Sequence, residues 1–77
     1  MEQDILHTEK IISDRKTFFL DLKENRRGQV VKITEDVGGN RETIMVPAEI
    51  LGDFIDALTD IKETADQDDG ERDGNQD

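Results

Sequence analysis

Seventy-seven residues without a cysteine allow one domain at most, and exclude both a disulfide framework and thiolate zinc sites. At 32% apolar and 4% aromatic the material for a core is thin, and a domain of about 60 residues buries only roughly 60% of its unfolded surface, so a partner chain is the expected staple. The formal net charge of −10 argues against a nucleic-acid ligand only if it is evenly spread, because screening cuts surface interactions off beyond about 8 to 10 Å.

The opening residues, MEQDILHTEK, are charged and lack the roughly 7 to 15 apolar residues of a secretory leader, and no window approaches the ~20 that span a bilayer. A soluble, cytoplasmic protein with no membrane partner is expected. Residues 1–8 read as a lead-in, and Leu6 to Ser13 as a first strand, although the adjacent Ile11 and Ile12 break its alternation. From Lys16 to Lys23 the alternation is clean, with Phe18, Leu20 and Leu22 on one face and Thr17, Phe19, Asp21 and Lys23 on the other. Glu24-Asn25-Arg26-Arg27-Gly28 has the Asn and Gly of a tight hairpin turn. The next run, Gln29 to Asp36, sends Val31 and Ile33 to one face and Val30, Lys32 and Thr34 to the other.

Gly38-Gly39-Asn40 is a second turn and reads as a plain loop, since a strand follows it and a phosphate cradle needs a helix N-terminus directly behind. That strand, Glu42 to Val46, puts Ile44 and Val46 on one side, Thr43 and Met45 on the other. Pro47 suits the first turn of a helix, after which Ile50, Leu51, Phe54, Ile55, Leu58 and Ile61 form an apolar stripe. The helix is predicted from about Ala48 to about Lys62. Residues 63–77 hold seven acids against Arg72 and have no apolar residue past Ala65, so they read as a disordered acidic tail. The expected fold class is α+β: a four-stranded antiparallel meander (ββββα) with the helix across one face, leaving Phe19, Val30 and Met45 on the uncovered face.

Charge is unevenly placed. Six of the ten Lys and Arg fall between Arg15 and Lys32, opposed only by Asp21 and Glu24. The run from Lys16 to Ile33, K-x-F-F-L-D-L-K-E-N-x-R-G-x-V-x-K-I, resembles the core of the PUR repeat of purine-rich-element-binding proteins, K-R-F-Y-L-D-V-K-Q-N-x-R-G-R-F-x-K-I. Pro47, Ala48, Phe54, Asp56, Ala57 and Leu58 continue it as P-A-x-x-x-x-x-F-x-D-A-L. The resemblance covers residues 9–62, a single repeat of the bacterial type. It implies two copies intertwined into a homodimer that binds single-stranded DNA or RNA, often purine- or G-rich, in a role such as transcription regulation. It also implies that Lys16, Lys23, Asn25 and Arg27 stand where family members contact nucleic acid. Position 30 departs from the pattern, with valine where the family usually has an aromatic, and Gln29 replaces a common arginine.

Single strands need a basic groove for phosphates and flat faces for bases, and Phe19, Lys23, Arg26, Arg27 and Lys32 offer both. No catalytic residues are assigned: there is no Cys nucleophile, the one serine, Ser13, has no base beside it, and His7 is the only histidine. Neither enzyme chemistry nor a metal, cofactor or small-molecule substrate is therefore expected. The competing reading is a dimeric protein-interaction module with an acidic tail and no nucleic-acid ligand.

Overall fold

The computed structural model describes the backbone of residues 4–72 and the side chains of residues 4–67. Strands β1 (Asp4–Ile12), β2 (Lys16–Asn25), β3 (Gly28–Val37) and β4 (Asn40–Pro47) form one antiparallel sheet in the order β1-β2-β3-β4. A 3-10 turn, Ala48–Ile50, and helix α1 (Leu51–Arg72) follow. The chain thus has the expected ββββα order. β1 begins four residues inside the predicted lead-in's end, and residues 1–3 of that lead-in lie outside the described residues.

Local chemistry sets the β2–β3 and β3–β4 hairpins. Asn25 pairs with Gly28 across β2 and β3, leaving Arg26 and Arg27 as the loop. The Arg27 N–H donates to Asn25 Oδ1 at 2.9 Å, and Gly28 has φ of 134°, which L side chains rarely adopt. Between β3 and β4 the loop is Gly38-Gly39, with φ of 60° and 93°. Positive φ at both central residues matches the turn to the right-handed strand twist, and Asp36 Oδ1 accepts from the Gly39 N–H at 3.0 Å.

The register sorts side chains as alternation predicts. Phe18, Leu20 and Leu22 share a face with Ile11, Val31, Ile33, Ile44 and Val46. Thr17, Phe19, Asp21 and Lys23 share the opposite face with Val30, Lys32, Thr34, Thr43 and Met45. In β1 the register shifts between Ile5 and His7, so that Leu6 is the extra residue of a bulge. Beyond it Thr8, Lys10 and Ile12 join the Phe19 face.

Two expectations about the helix are corrected. α1 does not lie across a face of its own sheet: the 3-10 turn packs against β3, whereas α1 makes its main contact with that turn and not with a strand. Pro47 is extended (φ −60°, ψ 136°) and the turn runs directly into α-helical Leu51 (φ −59°, ψ −35°), so no loop exists to fold the helix back. α1 also continues to Arg72, ten residues past Lys62. Gly52 and Gly70 are separated by seventeen residues without Gly or Pro, and Lys62 Nζ bonds Asp66 Oδ2 at 2.7 Å in an i,i+4 pair. Part of the predicted tail is therefore helical here, and residues 73–77 lie outside the described residues.

Burial is slight as a consequence. Val31 and Val46, 8% and 5% exposed, are the apolar side chains buried among the described residues, while Ile55, Leu58 and Ile61 of the helical stripe are more than half exposed. The radius of gyration is 15.6 Å, against about 11 Å for a compact chain of this length.

Candidate nucleic-acid interface

The sheet separates charge between its faces. On the Phe19 face stand four bases, Lys10, Lys23, Lys32 and Arg41, against two acids, Asp21 and Asp36. The opposite face has five acids, Asp4, Glu9, Glu24, Glu35 and Glu42, around its apolar centre and one base, Lys16. The chain's negative total thus coexists with a basic sheet face. The two acids on that surface are engaged: Asp21 Oδ1 accepts from Thr8 Oγ1 at 2.9 Å, and Asp36 Oδ2 accepts from Arg41 Nε at 2.8 Å.

Phe19 is half-buried near the middle of this face, directly opposite Lys10 in the β1–β2 register. Lys10 Nζ is 5.6 Å and the Arg41 guanidinium carbon 5.4 Å from the ring centroid. Each such contact contributes about 0.5 to 1 kcal/mol at an exposed site. Arg41 reaches the ring from β4 because β3 presents only Thr34 between them, 6% exposed and 3.4 Å from Thr43 through their hydroxyls.

Lys23 and Lys32 lie on the same face as Phe19, Lys23 toward the hairpin and Lys32 opposite Asp21. Arg26 and Arg27 form the exposed hairpin tip, and Asn25 is committed to holding it through its bond to Arg27. Beside the tip runs an open groove of about 560 Å³. Val30, Met45 and Pro47 supply its apolar side; Asn25, Arg27 and Glu49 are among its polar lining. The valine that replaces the family's usual aromatic therefore stands in a groove that an aromatic ring could occupy.

Lys16 is not brought to this surface. It points to the opposite face, where its Nζ lies 2.8 Å from Glu35 Oε2 and 5.9 Å from the Phe18 centroid. Strict alternation from Phe18 already placed it there, so the strand begins at Lys16 rather than after it. Conversely, Lys10 and Arg41 belong to the basic face but were not singled out from the sequence. Their signal is the pairing register: Lys10 falls opposite Phe19, and Arg41 is tied to Asp36 only once the Gly38-Gly39 turn fixes which β4 residue faces it.

The family model described as PurA ssDNA and RNA-binding protein matches residues 1–77. The chain is 44% identical over 43 residues to Transcription factor Pur-alpha 1 of Arabidopsis thaliana, covering 56% of this chain and 14% of that protein. It is 33% identical over 72 residues to Purine-rich element-binding protein gamma of Homo sapiens and of Mus musculus, covering 77% of this chain and 21% of each. The chain thus spans between 14% and 21% of the length of the curated relatives it matches. With a whole-length match to that model, and the strand, hairpin and helix positions that carry the PUR pattern in place, the chain belongs to the PurA family of single-stranded DNA- and RNA-binding proteins.

Proposed function

We propose that this chain is a homodimeric regulator that binds purine-rich single-stranded DNA or RNA by occupying it, without chemistry on it. The observation that carries this reading is the sorting of charge: the face with Phe19, Lys23 and Lys32, continued by Arg26 and Arg27, is the basic face of the sheet in an acidic chain. Purine preference and a role in transcription are supported by the names of the relatives. The homodimer is supported by the open apolar face and the exposed stripe of α1, whose side chains would otherwise stay in water.

The mechanism is electrostatic tracking of the backbone with base contacts at Phe19 and along the hairpin groove. For about four phosphates neutralised per protomer, log K should fall against log salt with a slope near −3, at about −0.7 per single-strand phosphate. Changing Lys23 and Arg27 together to Ala should flatten that slope by about 1.4 and weaken binding of a G-rich single strand at least tenfold, with the circular dichroism unchanged. Unaltered affinity and slope would shift the assignment to the competing reading, a dimeric protein-interaction module with no nucleic-acid ligand.

A further inference from the structure

Lys10 and Arg41 have no role in the proposed function, yet they converge on one ring from the two edge strands of the sheet. We propose that Lys10 and Arg41 complete a second nucleotide subsite around Phe19, distinct from the hairpin: the two cations receive the phosphates that flank the base held on the ring. The inference rests on the single-strand-binding reading and adds to it where the strand runs after it leaves the hairpin. Phe19 and Asn25 are six residues apart on β2, roughly 20 Å at about 3.3 Å per residue, so the two subsites are too far apart to hold one nucleotide.

Two features point to a built site. Two cations lie 5.6 and 5.4 Å from the ring centroid, drawn from β1 and β4, the two edge strands of the sheet. Arg41 is pre-positioned: its Nε donates to Asp36, which also holds the Gly39 N–H, and its Nη groups are the part that can reach a ligand. Cation–ring contacts at an exposed site are weak beside charge-assisted bonds to phosphate. A nucleotide therefore replaces them, putting base against ring and phosphate against cation.

The test uses the full chain and two fluorescein-labelled purine-rich DNA single strands, one of about 4 and one of about 12 nucleotides, within the range of site sizes for sheet-based binders. Anisotropy titrations should show the longer strand binding tighter. Lys10→Gln with Arg41→Gln should remove about tenfold of that gain and leave the short strand within about twofold of wild type. Lys10→Gln alone, which leaves the Asp36–Arg41 turn intact, should remove part of the gain, and Phe19→Leu should reproduce the loss without changing charge. A length gain that survives all three variants would come from bridging to a second hairpin and would overturn the subsite. A wild-type chain that binds neither strand would overturn the single-strand reading itself, and this inference with it.

Discussion

Val30 is the side chain whose replacement most directly probes how bases are held. It lines the hairpin groove with Met45 and Pro47 and offers only a small, branched surface where the PUR pattern has a ring. Stacking on an aromatic contributes about 1 to 3 kcal/mol per base. Val30→Phe should therefore tighten single-strand binding at least fivefold at constant salt, read by anisotropy, with no change in the salt slope because no charge is added. Equal affinity in the variant would mean that bases do not enter the groove. Lys16, by contrast, spends its charge on Glu35 across the apolar face, a half-buried pair still open enough to solvent to contribute only about 1 kcal/mol.

The elements owe their precision to their turns. Gly38 at φ 60° lies where Asn is also tolerated, whereas Gly39 at φ 93° lies outside the left-handed helical region, and a Cβ at either would meet only open space. Any penalty is then purely conformational. Gly38→Asn should leave the thermal midpoint nearly unchanged, while Gly39→Val should cost about 1 to 3 kcal/mol and loosen the Asp36–Arg41 arrangement. Equal melting of the two variants at matched concentration would contradict the backbone argument. α1 follows the same logic from the other direction: without a breaker between its two glycines it runs on past the apolar stripe into acidic sequence.

For the whole molecule the decisive fact is how little one chain buries. Val31 and Val46 cannot hold a sheet of four long strands, and an extended helix exposing Ile55, Leu58 and Ile61 has no partner within its own fold. Burying a Leu or Ile side chain contributes about 1.5 to 3 kcal/mol, so the stripe together with the open apolar face would supply much of the stability of the proposed dimer. Light scattering should give twice the chain mass, and the unfolding midpoint should rise with protein concentration. Leu58→Asp with Ile61→Asp should abolish the dimer, and with it the cooperative melt. A wild-type monomer with a concentration-independent midpoint would refute the paired arrangement.

Strand order, the β2–β3 and β3–β4 turns and the faces taken by Phe18 to Lys23, Val30 to Thr34 and Thr43 to Val46 were legible in the residues, because side chains alternate with period two and the turn chemistry of Asn25, Gly28, Gly38 and Gly39 pins the register. The faces of β1 were not, since Ile11 and Ile12 are adjacent and a bulge at Leu6 shifts the register. Phe19, Lys23 and Lys32 on one surface followed from that alone. The partners of Phe19 did not, since they depend on which residues of β1 and β4 fall beside it, a long-range pairing that no local pattern encodes. Nor did the course of α1. An amphipathic stripe states that a helix needs an apolar surface, but not whose, and only the direct junction from Pro47 through the 3-10 turn decided that it leaves its own sheet.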